Sequence, residues 1–209
     1  MPYHTIDWKM FTILKYLRRN ARWRAYRGGS YDTAIERSGY KIELEEEGDK
    51  YKRVLLWSPT QPCFVADLDM SDKVAVLLRL EYSSSCSVDG KMTRGDGTKK
   101  MINFMFSFLK ELGATKVQLQ DESTIMCNGK EVSLMWFSFM KYGQTWYERN
   151  FGIHPTERHL QKYETVKDNW RRSNYGPLPC EAFTDDFVDK LAKELDFTFY
   201  RNIVWEKDL

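Results

Sequence analysis

The sequence predicts an α+β fold with a mixed sheet. Three observations carry that expectation: period-two apolar runs around a Gly-containing turn, segments of helical periodicity set among later apolar runs, and no internal repeat or low-complexity tract. The 209 residues are 42% hydrophobic, 15% aromatic and 30% charged, an ordinary globular composition that excludes disorder, collagen-like repeats and a bundle of membrane-spanning helices. One domain, or one with an appendage, is expected at this length, and a core of this size needs no disulfide or structural metal.

Thr5 to Arg24 has the pattern of an amphipathic helix. Met10, Leu14, Leu17 and Ala21 fall on one face, Lys15, Arg18, Arg19 and Arg22 on the other, and Gly28 and Gly29 end it. The basic face is either a solvated surface or a docking stripe for an acidic or nucleic-acid partner. Tyr40 to Glu46 and Tyr51 to Trp57 flank Glu47-Gly48-Asp49-Lys50 and read as a hairpin. Cys63 to Leu68 and Lys73 to Tyr82 follow as strands. In the second, Val74, Val76, Leu78 and Leu80 alternate with Ala75, Leu77, Arg79 and Glu81, as in a central strand whose far end opens toward solvent or a ligand.

A largely buried helix is expected from Thr98 to Leu112, closed by Gly113, with a short strand from Thr115 to Gln120 behind it. Glu131 to Tyr142 is apolar nearly all round and its length favours a buried helix over a strand. A polar linker at Arg171 to Pro179, a helix from Asp185 to Leu195 capped by Thr184, and a final strand from Phe197 to Trp205 complete the chain.

Net charge is +2, from 32 Lys and Arg against 30 Asp and Glu. The first 27 residues hold seven basic side chains against Asp7 alone, a net of +6, so the other 182, with 25 basic and 29 acidic, carry −4. Cys63, Cys86, Cys127 and Cys180 form no C-x-x-C pair, and no His stands at a zinc-ligand spacing, so free thiols in a reducing compartment and no metal are expected. Asp7, Lys9 and Lys15 interrupt any apolar signal core, and no run approaches the ~20 apolar residues of a membrane span. These features point to a soluble cytoplasmic protein.

The segment richest in chemistry is strand, polar loop, Arg94-Gly95-Asp96-Gly97-Thr98, helix, strand. Two glycines feeding a helix N-terminus let several backbone N–H groups converge on a phosphate, and Arg94, Lys99 and Lys100 add positive charge. No Gly-Lys-Ser/Thr closes the loop and the third glycine of a dinucleotide fingerprint is missing. The tract Met92 to Thr98 resembles the Q/R-x-x-G-x-G/A pyrophosphate loop of the GNAT acetyltransferase superfamily, with Met92 where the family has Gln or Arg. Lys110 to Leu119 is similar to that family's helix end and following strand. Trp146 to Ile153 is similar to its late F-Y-E-K-x-G-F tract, with one extra residue before the glycine. The tract from Gly143 to Gly152 also resembles one in proteins of large DNA viruses, which would place the chain in host cytoplasm or a virion.

The resemblance covers about residues 38 to 155. It implies a mainly antiparallel central sheet flanked by helices, with residues 1–29 an added basic helix and 156–209 a C-terminal helix and strand extension. It implies acetyl-CoA as co-substrate, held by Arg94, Gly95, Asp96, Gly97, Thr98 and Lys99. The amine acceptor attacks the thioester directly, and Tyr147, matching the family tyrosine, protonates the leaving thiolate. Glu81, Asp121 and Glu122 are the carboxylates available as base, and the residues alone do not rank them. His154 and His159 could accept a proton near neutrality, whereas Cys86 has no recognisable His partner for nucleophilic catalysis. Two other readings stand beside the enzyme: a fold of this kind without catalysis, serving as a structural or interaction module, and a nucleic-acid binder acting through the basic helix.

Overall fold

In a computed structural model, residues 33–37, 40–47, 49–57, 62–80, 96–173, 175 and 178–209 are described. The basic segment Thr5 to Arg24 and Cys86 lie outside them. The architecture is α+β: five α-helices among the described residues and a mixed, mainly antiparallel sheet, with a separate hairpin. The chain groups into two compact units, one of Gln120–Lys207, the other of the described residues up to Leu119 with Asp208 and Leu209.

In the unit ending at Leu119, β1 (Thr33–Arg37), β2 (Tyr40–Glu47), β3 (Tyr51–Trp57), β4 (Pro62–Asp69) and β5 (Val74–Leu80) form an antiparallel meander in sequence order. Alternation sets the core. Ile42, Val54, Leu56, Phe64, Ala66 and Leu68 are fully buried. Arg53, directly opposite Asp67, donates from Nε and Nη2 to its two carboxylate oxygens at 2.7 and 3.0 Å. At the β4–β5 turn, Asp69 Oδ1 accepts from the backbone N–H of Ser71 and Asp72.

The alternation expected along β5 is broken once. Val65 pairs with Arg79 but Ala66 with Leu77, so Leu78 is an extra residue, a β-bulge. The shift in phase turns Leu80, 1% exposed, inward with Ala75 and Leu77. Helix α1 (Asp96–Glu111) follows, starting two residues before the expected Thr98. It buries Met101, Ile102, Met105 and Leu109 completely and ends at Gly113, whose φ of 101° only glycine adopts freely. The next strand, β6 (Lys116–Leu119), is parallel to β5, with Val74, Ala75 and Val76 opposite Lys116, Val117 and Gln118.

The Gln120–Lys207 unit opens with a hairpin, β7 (Thr124–Cys127) and β8 (Lys130–Ser133). Asn128 and Gly129, at φ 48° and 81°, make the turn, the geometry of a type I′ hairpin. The buried helix expected from Glu131 therefore begins only at Leu134. Its first three residues pair with β7, and Ser133 caps α2 (Leu134–Tyr142) by accepting from Trp136 N–H. Then come α3 (Trp146–Phe151), the two-residue β9 (His154–Pro155), α4 (Glu157–Arg172), a 3-10 turn at Cys180–Ala182, α5 (Asp185–Glu194) and β10 (Trp205–Asp208). Thr184 caps α5 as expected. The final strand expected from Phe197 is instead a 3-10 turn at Tyr200–Asn202, and only Trp205–Asp208 is extended, pairing with β9. Aromatic rings hold this unit together. Phe197 packs against Trp136, Phe139 and Tyr163 at centroid distances of 5.2, 5.8 and 5.6 Å.

The expectation of free thiols is overturned. Cys127, at the end of β7, is bonded to Cys180 in the 3-10 turn, with Cα atoms 5.9 Å apart across 53 residues of sequence. Cys63 is disulfide-bonded as well. Spacing along the chain excludes a C-x-x-C motif but says nothing of closures that tertiary folding makes, so the cysteine argument for a reducing compartment falls. No helix among the described residues is long and apolar enough to cross a membrane.

Two consequences for stability follow from this packing. Closing a loop of this length stabilises by at most about 4 kcal/mol on the chain-entropy account, so replacing both Cys127 and Cys180 by Ala should lower the unfolding free energy by roughly 2–4 kcal/mol. Urea unfolding checks this, and an unchanged midpoint contradicts the cross-link. Gly143 ends α2 at φ 68°, and a Cβ there would lie 2.5 Å from the Trp170 ring. Gly143→Ala should cost on the order of 1–3 kcal/mol by the same measurement.

Candidate functional site

Glu81, Arg94 and Gly95 lie outside the described residues. Asp96 opens α1, Gly97 and Thr98 are buried in its first turn, and Lys99 is half-buried. Thr98 is fully enclosed, and its Oγ1 has no hydrogen-bond partner among the described residues. A buried hydroxyl at a helix start, beside N–H groups that the helix itself cannot satisfy, leaves polar capacity for a ligand. The strand that precedes this helix is longer than its parallel neighbour: β5 pairs with β6 over Val74–Val76 and continues to Leu80, whereas β6 ends at Leu119.

The second group of residues stands in the Gln120–Lys207 unit. Tyr147 is in the first turn of α3, 1% exposed, with its ring 5.1 Å from Trp146 and 6.3 Å from Phe151. Its helix is held by a capping box: Thr145 Oγ1 accepts from Glu148 N–H at 3.2 Å, and Thr145 N–H donates to Glu148 Oε2 at 3.3 Å. Glu148 also accepts from Tyr163 OH at 2.7 Å and from Lys167 Nζ at 3.0 Å, which ties α3 to α4. Burial opposes the charge on Lys167, but its bonds to Glu164 and Glu148 hold its pKa above the ordinary value. Tyr163 is pushed strongly upward, by burial first and by Glu148 second, and stays a neutral donor.

Just past β6, Asp121 and Glu122 line a cleft of about 450 Å³ together with Trp136, Asp185, Tyr200 and Arg201. Asp121 Oδ1 accepts from both the N–H and the Oγ–H of Ser123. Its Oδ2 is enclosed and without a partner among the described residues. Burial raises its pKa to about 6; the Ser123 bonds pull the other way and the charge of Glu122 adds slightly. Burial also raises Glu122, which remains exposed. Tyr147 is raised well above 10, by burial first and then by the negative charge of Asp121. The two are thus electrostatically coupled, a carboxylate that can take a proton near neutrality and a phenol that is protonated there.

Burial raises both adjacent carboxyls, Asp121 is the less exposed of the two and its charge acts on Tyr147, while Glu81 lies outside the described residues. Neither His154 nor His159 lines this cleft, and His159 Nδ1 is enclosed without a hydrogen-bond partner among the described residues. A ring nitrogen of His154 meets the Pro155 carbonyl at 3.0 Å, and His159 stacks on Phe199 with its pKa lowered by burial and by Arg158 and Lys162. Trp136, Asp185, Tyr200 and Arg201 had no signal of a site in the sequence, because they meet only through the folding of α2, α5 and the 3-10 turn. Arg201 Nη2 donates to Asp189 at 2.9 Å and its Nε to Tyr200 OH at 2.7 Å. Among the described residues no group of three or more His, Cys, Asp or Glu could hold a metal ion.

Because Asp121 binds its proton more tightly in the folded chain than in the unfolded one, stability should fall as pH rises from about 4 to about 6, by on the order of 2–3 kcal/mol. Asp121→Asn should abolish that slope. Denaturant unfolding at pH 4, 5, 6 and 7 measures it, and an identical slope in both proteins contradicts the assignment.

No protein-family model, curated protein or solved structure was found to match the chain.

Proposed function

We propose that the protein is an acyl-CoA-dependent N-acyltransferase, resembling the GNAT superfamily in the tracts described above. The observation that carries the proposal is that β5 runs on to Leu80 beyond its last pair with β6 at Val76, in the strand that precedes the helix opened by Asp96 and Gly97. Beyond Val76 one edge of β5 runs on past the last residue paired with β6, and peptide N–H and C=O groups at a strand edge favour an amide-bearing ligand that adds as a further strand. The pantetheine arm of CoA has that chemistry. Its pyrophosphate is assigned to the backbone N–H groups of Gly95, Gly97 and Thr98, with Arg94 and Lys99 supplying charge.

The reaction that the resemblance implies is a single displacement. Asp121 takes a proton from the acceptor's ammonium, the freed nitrogen lone pair forms the C–N bond to the thioester carbonyl, and the C–S bond breaks. Tyr147 donates its phenolic proton to the departing thiolate and takes back the second proton that the acylated nitrogen must lose, giving amide and free CoA. A carboxyl with a pKa of about 6 is largely ionised at neutral pH yet basic enough to share in that transfer. The rival reading, a fold of this kind without catalysis, draws on the nearly complete enclosure of Tyr147 among aromatic rings.

Acetyl-CoA at 100 times its Kd should stabilise the fold by about 2.7 kcal/mol, seen as a rise in melting temperature that Arg94→Glu reduces. Tyr147→Phe should keep that rise and lose 100-fold or more of acyl transfer to an amine. No rise with acetyl-, succinyl- or longer acyl-CoA overturns the reading; a rise without transfer in the wild type favours the non-catalytic fold.

A further inference from the structure

The cleft at Asp121 holds two polar atoms that the described residues leave unsatisfied, and they are of opposite kinds. Asp121 Oδ2 is an acceptor and Trp136 Nε1–H is a donor; both are enclosed and without partners, and both residues line the same cleft of about 450 Å³. A buried polar atom left unbonded is costly, so a ligand that satisfies both is favoured twice. The Coulombic setting narrows its charge. Asp121, Glu122 and Asp185 line the cleft against one cation, Arg201, and that guanidinium is already bonded to Asp189 and Tyr200. An anion therefore meets repulsion there, whereas an ammonium meets a carboxylate with a free oxygen.

The walls narrow the rest. Trp136 is fully buried, its ring set edge-on to Tyr200 at 5.2 Å, and Phe183, 3% exposed, lines the cleft with them. Such a surface suits a compact apolar side chain between polar ends. We propose that the cleft binds a primary ammonium with a neighbouring carbonyl oxygen, as in an α-amino amide or the first residue of a peptide. The ammonium donates to Asp121 Oδ2 and the carbonyl accepts from Trp136 Nε1–H. Free amino acids are disfavoured, because their carboxylate would face Glu122 and Asp185. In naming the class of acyl acceptor this inference rests on the acyltransferase reading; as an amine site it is tested without any acyl-CoA.

Calorimetric titration of the full chain with three probes separates the parts of the proposal. L-phenylalaninamide should bind saturably. L-phenylalanine, which adds a carboxylate, should bind at least 10-fold more weakly, and 2-phenylethylamine, which lacks the carbonyl, about 3- to 10-fold more weakly. Asp121→Asn should weaken phenylalaninamide at least 10-fold. Glu122→Lys, at an exposed position where folding is safe, should weaken it as well. Equal binding of phenylalanine and its amide, undiminished binding by Asp121→Asn or Glu122→Lys, or no saturation with any probe overturns the proposal. Equal binding of phenylethylamine overturns the carbonyl contact. The peptide Phe-Gly-Gly-amide distinguishes the two sources: affinity equal to phenylalaninamide's supports a peptide N-terminus, and its exclusion supports a free amino amide. Amine binding by a chain that binds no acyl-CoA would sink the acyltransferase reading and leave the site intact.

Discussion

The carboxylate of Glu148 fixes the short helix that carries Tyr147. It bonds the backbone N–H of Thr145 at the start of its own helix, the hydroxyl of Tyr163 and the ammonium of Lys167. With only 13% of either side chain exposed in the Glu148–Lys167 pair, desolvating these charges is costly, and the arrangement holds because both oxygens are satisfied. What is gained is position. A six-residue helix is too short to be stable by itself, and the capping box with the anchor to α4 gives the neighbouring Tyr147 one location among Trp146 and Phe151.

Asp121 shows the opposite economy. A carboxyl whose pKa is driven up by burial makes the folded state less stable at neutral pH than an asparagine of the same shape would. Among the described residues its hydrogen bonds come from Ser123, two residues along, and both go to Oδ1. A fold selected for stability alone would bond or expose the second oxygen. Retaining a strained carboxylate beside Tyr147, in a cleft with an unbonded indole N–H, is how a site stores capacity for a ligand and a proton.

Local signals in the sequence were sufficient where the structure is local. The β2–β3 hairpin, the β4 and β5 strands, the helix ended by Gly113 and the helix capped by Thr184 all follow from periodicity and end chemistry. Asn128-Gly129 was legible in the same way, as a two-residue hairpin turn, but the apolar run from Glu131 to Tyr142 hides it. Val132 is buried in a strand and Leu134 in a helix, and a short apolar run has no period that separates the two. The Cys127–Cys180 bond and the deeper burial of Asp121 than of Glu122 were out of reach for a different reason. Both depend on which side chains long-range folding encloses, and adjacent carboxyls in a sequence carry no mark of which one will be desolvated.

The bulge at Leu78 joins the fold to the proposed cofactor site. Without the extra residue, strict alternation would place Leu80 on the face opposite Ala75 and Leu77 and carry Arg79 onto theirs. With it, Leu80 returns to the core at 1% exposure, and Arg79 stays opposite Val65 on the other face. A bulge also bends its strand and increases its twist. Pairing with β6 stops at Val76, two residues before the bulge, and β6 itself ends one residue past its last pair, at Leu119. The same single residue thus keeps the core closed while β5 runs on to Leu80, past its last pair with β6.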